Sequence, residues 1–331
     1  MTGNFEEDFM KKKVLLIHTG GTISMHMSED GGVIPDTNNP LMQESKKLEM
    51  IADLIEIEAF NLPSPHITPK KMLELRNLII DTIKKNTVDG VVITHGTDTL
   101  EETAYFLELT TNLEMPIVLT GAMRSSNELG ADGVYNLVEA VRVASSDQAR
   151  NKGVLVVMND ELHSAVNVTK TSTSSVSTFQ SPQYGPLGLV TKTLIHFQQA
   201  PMKREYVEVN SLNKKVALFK IYAGMDADLL HSAIDCNYDG VVLEGLGQGN
   251  VPPAILPTIE KLIQHGIPVV LVSRCFNGIA QGVYGYEGGG RMLEDMGVIF
   301  ATGLSGQKAR LKLMIGLNQE EKPINVKKFF I

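Results

Sequence analysis

Short apolar runs alternate with longer amphipathic segments through the first half of the chain. The short runs lie at residues 14–17 (VLLI), 91–94 (VVIT), 116–120 (PIVLT) and 154–158 (VLVVM). Runs of this length that are apolar throughout are typical of strands buried on both faces of a parallel sheet. Amphipathic segments lie at 69–83, 100–109 and 131–144, and Thr68 with Pro69 forms a helix-start signal before the first of them. This alternation predicts a parallel sheet with helices on both faces.

The second half repeats the alternation after an irregular stretch. Residues 159–199 contain short alternating pieces, which indicate a hairpin and loops, and residues 201–214 mix charge, proline and asparagine as a linker would. Predicted strands follow at 216–222, 240–243, 268–273 and 297–300, and predicted helices at 226–234, 252–265 and 305–317. We therefore predict two α/β domains, a larger N-terminal parallel-sheet domain with a β-hairpin at 1–200 and a smaller C-terminal α/β domain at 215–331.

Composition narrows the class of protein. A chain of 331 residues with 43% hydrophobic and 21% charged residues is long enough for two soluble globular domains. The formal net charge of -8 argues against a general nucleic-acid binder, which usually carries a basic face. No apolar run could span a bilayer, and the acidic N-terminus lacks the apolar core of a secretory signal. We therefore expect a cytoplasmic protein with no membrane partner.

Cysteine and histidine usage gives no sign of a metal site. Cys236 and Cys275 have no Cys or His at ligand spacing, so we predict two core thiols rather than a disulfide framework or a zinc site. His18, His95 and His163 form no metal pattern either, and His95 is predicted to be a hydrogen-bonded core residue. The chain contains no G-x-S-x-G elbow and no Walker A sequence. We expect neither a metal nor an organic cofactor.

The loop after the first predicted strand carries the first candidate for chemistry. It reads TGGTI at 19–23 and brings Thr22 to the carboxyl end of the strand, where open α/β sheets bind ligands. Glycines there allow φ > 0 or a close approach of the backbone to a ligand. Taken alone, a threonine after two glycines is more often an ordinary loop residue.

Three other candidates can converge with Thr22. Thr97 and Asp98 follow the strand at 91–94, and Lys170 lies in the predicted hairpin region. A neutral hydroxyl needs an adjacent base, and a lysine held by a carboxylate can serve when burial favours its neutral amine. Backbone N–H groups around 96–97 could stabilise an oxyanion. Each residue also has a plain interpretation, since Thr97 and Asp98 suit a helix cap and Lys170 suits a solvated surface.

Read together, these segments resemble a known family. TGGTI at 19–23 and HGTDT at 95–99 are similar to the two signature motifs of bacterial L-asparaginases, the asparaginase/glutaminase family. Further matching segments, in the same order along the chain, are GAMR at 121–124, ADG at 131–133 with Asn136 and Leu137, VTKT at 168–171 and QKAR at 307–310.

The resemblance implies an activity and roles for particular residues. It implies hydrolysis of the side-chain amide of L-asparagine to L-aspartate and ammonia through a threonine acyl-enzyme, without a cofactor. Thr22 matches the family's loop nucleophile, and Thr97, Asp98 and Lys170 match its internal catalytic group. Ser64 falls where the family binds the substrate α-carboxylate, and Thr97 and Asp98 would also contact substrate, with Asp98 holding the α-amino group. Asn250 resembles a residue lent by a neighbouring subunit, in a homotetramer built as a dimer of dimers.

Two departures from the family pattern keep other functions open. Residues 28–35 lack the tyrosine that relatives carry in the first loop, with Val33 near its place, and Pro65 with His66 replaces a glutamine and an aspartate. One alternative is a non-catalytic sensor that binds asparagine in the same crevice. Another is the asparaginase-like subunit of a tRNA-dependent amidotransferase, but that subunit carries an extra N-terminal domain and about twenty residues precede Thr22 here.

Overall fold

The computed structural model describes residues 11–35, 41, 48–201, 204–319 and 324–330. Within these ranges the chain forms two α/β units, one on an eight-stranded sheet and one on a four-stranded sheet. The predicted fold class is confirmed. The predicted loop at 24–40 is described only as far as residue 35, and residues 1–10 lie outside the described part.

The strands and helices of the described residues have the following bounds. The strands are β1 (Lys13–His18), β2 (Met25–Met27), β3 (Val33–Pro35), β4 (Asp53–Glu58), β5 (Gly90–Thr94), β6 (Ile117–Thr120), β7 (Val154–Met158), β8 (Glu161–Ser164), β9 (Thr169–Lys170), β10 (Phe179–Gln180), β11 (Gly188–Val190), β12 (Ile195–Phe197), β13 (Val216–Lys220), β14 (Gly240–Gly245), β15 (Val269–Ser273) and β16 (Ile299–Phe300). The helices are α1 (Pro69–Lys85), α2 (Leu100–Thr110), α3 (Gly133–Ala144), α4 (Asp228–Asp235), α5 (Leu256–Gln264), α6 (Gly290–Met296), α7 (Gly306–Leu317) and α8 (Val326–Phe330).

The larger sheet has the strand order β12-β11-β8-β7-β6-β5-β1-β4. The five strands from β4 to β7 in this order pair in parallel, as predicted. The three remaining strands are antiparallel: β8 returns beside β7 as a hairpin, and β11 and β12 continue the sheet beyond it. The stretch predicted as hairpin and loops therefore also extends the main sheet.

Strand β1, which lies between β5 and β4, shows why the apolar runs are continuous. Val14 and Leu16 pack in the core on the face covered by α3, whereas Leu15 and Ile17 pack on the opposite face, against α1 and α2. All four side chains are almost fully buried. A strand whose alternate residues face two helical layers needs apolar side chains at every position.

The smaller sheet has the order β13-β14-β15-β16, with all strands parallel. Its helix α7 packs against α2 of the larger unit, where Tyr105 and Phe106 share one core with Leu311 and Ile315. Because α2 begins directly after Thr99, this core braces the loop that carries Thr97 and Asp98.

The two cysteines differ from expectation. Both are exposed, so the prediction of core thiols is wrong. Cys236 lies at the C-cap of α4 and Cys275 follows the end of β15, so each stands just beyond the part of its element that faces the core. No helix among the described residues is long and apolar enough to cross a bilayer.

Candidate active site

Three loops meet at the carboxyl edge of the larger sheet. They follow β1, β4 and β5, which are neighbours in the order β5-β1-β4. The chain leaves β1, returns on one side of it as β4 and then on the other side as β5. Such a change of direction opens the crevice in which α/β sheets bind ligands.

The loop after β1 depends on its two glycines. Gly20 and Gly21 have φ values of 95° and 86°, a region that L side chains rarely adopt. A Cβ on Gly21 would lie 2.2 Å from Gly96 Cα, and a Cβ on Gly20 would lie 2.4 Å from the backbone nitrogen of Leu62. The loop that bears Thr22 therefore packs directly against the loops after β5 and β4. Thr22 itself is half-buried and starts a short 3-10 turn, Thr22–Ser24.

The buried side chain of His95 stabilises the loop after β5. The imidazole Nδ1 lies 2.8 Å from the Gly96 carbonyl oxygen, and Nε2 lies 2.9 Å from the Thr103 hydroxyl. Burial lowers the pKa of His95 to about 4. The ring is thus neutral at physiological pH and bonds to backbone and helix, as predicted for a core histidine.

Ser64 joins the loop after β4 to the same site. Its side chain is buried, and its hydroxyl oxygen accepts a hydrogen bond from the Asp98 backbone N–H at 3.2 Å. The Thr99 hydroxyl donates to the Ser64 carbonyl oxygen at 2.8 Å. A Cβ on Gly96 would lie 2.7 Å from Ser64 Cβ, so a glycine is required for this contact.

Lys170 reaches the site from the two-stranded ribbon of β9 and β10. Its ammonium nitrogen donates to the Thr97 hydroxyl at 3.0 Å and to Asp98 Oδ1 at 2.6 Å. The Lys170 side chain is 16% exposed and that of Asp98 is 60% exposed, so the amine is sheltered while the carboxylate is open to a ligand. The predicted grouping of a hydroxyl, an amine and a carboxylate is present in the structure.

The loop after β6 supports Thr97 through residues to which we assigned no role. A Cβ on Gly121 would lie 2.6 Å from the His95 carbonyl oxygen and 3.2 Å from the Thr97 methyl carbon. Asn136 donates to the Gly121 carbonyl oxygen at 3.0 Å, and Asp132 accepts two backbone N–H bonds from the same loop. In the sequence only the resemblance singled these residues out, because bonds from side chain to backbone leave no periodic pattern.

Among the described residues, Asn250 makes no hydrogen bond to the other candidates. Its amide oxygen accepts from the Gly290 backbone N–H at 3.1 Å, and its backbone pairs with Leu246, both within the smaller unit. The described residues contain no cluster of three or more His, Cys, Asp or Glu that could hold a metal ion.

The fold and the site define a two-domain α/β protein in which the Thr97 hydroxyl stands beside a sheltered lysine amine, an arrangement suited to nucleophilic catalysis. Residues 13–203 match the family described as Asparaginase, N-terminal, and residues 215–330 match the Glutaminase/Asparaginase C-terminal domain. The chain therefore belongs to the asparaginase family, as the two threonine motifs indicated.

Individual relatives match over nearly the whole chain. A protein of Deinococcus radiodurans named Probable L-asparaginase is 39% identical over 96% of this chain and 97% of its own length. L-asparaginase 2 of Escherichia coli is 34% identical over 96% of this chain and 92% of its own. The Glutaminase-asparaginase of Pseudomonas aeruginosa is 31% identical over 96% of this chain and 89% of its own.

Proposed function

We propose that this protein is an amidohydrolase that converts L-asparagine and water to L-aspartate and ammonia. The names of its relatives support this substrate. The observation that carries the proposal is the Lys170 amine bonded to both Thr97 and Asp98, at 3.0 and 2.6 Å, beside the loop of Thr22. This arrangement of a hydroxyl, a base and an orienting carboxylate is that of a catalytic triad with lysine in the place of histidine, and its hydroxyl is that of Thr97.

In the proposed reaction Thr22 is the nucleophile. The Thr22 hydroxyl oxygen attacks the side-chain amide carbon of asparagine. The proton of that hydroxyl passes first to a base and then to the amide nitrogen. The C–N bond breaks, ammonia leaves, and an ester joins the substrate to Thr22. Water, activated by Thr97 with Lys170, then hydrolyses the ester and regenerates the hydroxyl. Backbone N–H groups at residues 96–97 are our candidates for stabilising the oxyanion.

Substrate binding is assigned to the open side of the same cluster. We propose that Asp98, whose carboxylate is largely exposed, holds the α-amino group, and that Thr97 contacts the reacting end of the substrate. The Ser64 oxygen already accepts a bond from Asp98, so its own proton is available to the α-carboxylate. Pro65 and His66, which replace other residues of the family pattern, lie exposed beside Ser64, and the rate with glutamine measures the effect of this replacement.

We also propose a homotetramer in which a second copy completes the site with Asn250. The loop of Asn250 is bonded to residues 281–290, where Gln281 N–H donates to Gln248 and Gly290 N–H donates to Asn250. Beside that loop, Phe276, Val283 and Tyr286 are 72%, 54% and 55% exposed. Exposed apolar surface of this kind marks association sites. Sedimentation analysis is the test, and a monomeric active protein would contradict the assembly.

We propose domains at 1–200 and 215–331 joined by a linker at 201–214. We propose a cytoplasmic location, which suits two exposed thiols because reducing compartments keep them reduced. Cell fractionation tests the location, and limited proteolysis at the linker tests the boundaries.

The experiment for the activity is ammonia release from asparagine by the purified protein, with glutamine assayed in parallel. We expect turnover by the wild type, its loss in Thr22→Ala and Thr97→Ala, and wild-type rates in the control Thr193→Ala, which alters an exposed turn. Activity that survives either active-site change would refute the role of that residue. Tight binding of asparagine without turnover would instead favour a sensor.

A further inference from the structure

Behind the candidate site lies a buried lysine that the proposed reaction does not use. Lys308 lies in α7 of the smaller unit, and its side chain is 2% exposed. Its ammonium nitrogen donates to the carbonyl oxygen of Val166 at 3.0 Å and to that of Val168. These two carbonyl groups belong to the segment that leads into β9, the strand of Lys170. Lys308 therefore ties the smaller unit to the backbone that presents the catalytic amine.

A buried carboxylate connects the same lysine to the other half of the site. Glu101 Oε2 lies 3.7 Å from the Lys308 nitrogen. Its other oxygen, Oε1, accepts from the Thr169 hydroxyl and from the Gln307 side-chain amide, each at 3.2 Å. Glu101 lies in the first turn of α2, directly after the loop of Thr97 and Asp98. The Lys308–Glu101 pair thus contacts both segments that the bond between Lys170 and Asp98 joins, the segment of β9 and the start of α2.

The contacts call for a charged amine at Lys308. Two carbonyl oxygens and a carboxylate surround the nitrogen, and a buried carboxylate without a cation is costly. Burial lowers the pKa of Lys308 to about 8, with Glu101 and Glu102 opposing the shift, so the ammonium form prevails at neutral pH. A side chain of similar length without a donor would leave both carbonyl groups without the lysine donor and Glu101 Oε2 without its cation.

We propose that Lys308 is a positioning residue for the reaction. By fixing the backbone before Lys170 and the first turn of α2 together, it sets the distance between the Lys170 amine and Thr97. The inference rests on the proposed function, because it assigns Lys308 to the placement of Lys170 in asparagine hydrolysis. Misplacement of a catalytic group by about 1 Å costs on the order of 100-fold in rate, so the expected loss is large.

The same helix provides a matched control. Lys312, one turn further along α7, is 7% exposed and pairs with Glu205 Oε2 at 2.5 Å. Its ammonium also lies over the Phe329 and Phe330 rings, at 4.6 and 5.3 Å from their centroids. It resembles Lys308 in burial and in having a carboxylate partner, but its contacts lie away from β9. Lys312→Met should lower the melting temperature and leave kcat within about twofold of the wild type.

The test compares full-length variants by kcat, KM and melting temperature with asparagine as substrate. We expect Lys308→Met to lower kcat about 100-fold with KM within about threefold, since the chemical group is displaced and the binding groups stay. The double variant Lys308→Met/Glu101→Gln should recover part of the lost melting temperature, because it leaves no unpaired charge at residue 101. It should not recover kcat, because the carbonyl groups of Val166 and Val168 still lack their donor.

Each remaining outcome decides the matter. Wild-type kcat in folded Lys308→Met, an equal loss in Lys312→Met, or recovery of kcat in the double variant would overturn the proposal. If Lys308→Met does not fold, the double variant takes its place, and failure of both to fold assigns Lys308 to folding and also overturns it. Absence of asparagine turnover in the wild type would overturn the proposed function itself, and full activity of Lys170→Ala would overturn the role of Lys170. An inactive Lys170→Ala with a fully active Lys308→Met would overturn only this inference.

Discussion

Acid should destabilise this protein through His95 in a way that can be isolated. The imidazole is fully buried between the Gly96 carbonyl group and the Thr103 hydroxyl. Burial lowers its pKa from 6.5 to about 4. Between these values the unfolded chain binds a proton that the folded protein does not bind, so the free energy of unfolding falls as the pH falls from about 7 to about 4.

The size of the effect follows from the two pKa values. One pKa unit corresponds to about 1.4 kcal/mol, so His95 should cost the folded state about 2 kcal/mol at pH ~5 and about 3 kcal/mol below pH ~4. His18 is buried with a pKa of about 4 and acts in the same direction. Glu139 acts in the opposite direction, since burial raises its pKa to about 8 and the folded state takes up a proton as the pH falls. The dependence of the free energy of unfolding on pH therefore sums several opposing contributions, and a variant is needed to isolate that of His95.

The informative variant is His95→Gln, whose amide does not titrate and can still donate to Gly96. Urea unfolding at about pH 7.5 and about pH 5 gives the free energy of unfolding of each protein by linear extrapolation. We expect the wild type to lose about 2 kcal/mol more than the variant between the two pH values. Equal losses in the two proteins would refute the reasoning, since they would mean that His95 binds its proton equally well in both states.

Three further substitutions test single features. Gly21→Ala places a side chain at a φ of 86° and a Cβ 2.2 Å from Gly96 Cα. It should lower the free energy of unfolding by ~2–3 kcal/mol and reduce turnover, and full activity would contradict the close packing of the two loops. Thr68→Ala removes the N-cap of α1 and should cost about 1 kcal/mol in urea unfolding with no change in kcat. Arg204→Met leaves the buried Glu108 carboxylate without its partner and should cost about 3 kcal/mol, and an unchanged unfolding midpoint would show that the pair is dispensable.

Local patterns in the sequence predict much of the fold because burial acts position by position. The run at 91–93 is apolar throughout because β5 is covered on both faces, and Thr68 with Pro69 starts α1 because the first helical N–H groups need an acceptor. The pairing of β11 with β8 and of β12 with β11 was not predictable in this way. It depends on strands that are three residues long, whose partners are chosen by the rest of the sheet.

In the candidate site too, some residues can be predicted from local sequence and others only from the three-dimensional structure. Thr97 and Asp98 can be identified as site residues because they follow the end of a buried strand. The structure brings Lys170 to them, although 72 positions separate it from Asp98. Lys308 meets Val166 across 142 residues, and a buried lysine of this kind looks in the sequence like any polar residue of a helix. The exposure of Cys236 was missed for a related reason, since one residue at the end of α4 separates a core position from a surface one. The role that we propose for Asn250 depends on a second copy of the chain, which the sequence of one chain does not place.

The most direct test of the central claim is to find where the substrate becomes attached. Lys170→Met should slow hydrolysis of the ester, so acid quenching during asparagine turnover followed by peptide mass analysis should trap the acyl group. We predict that it is attached to the hydroxyl of Thr22. Attachment to Thr97, or an unmodified chain in a variant that still releases ammonia, would contradict the account.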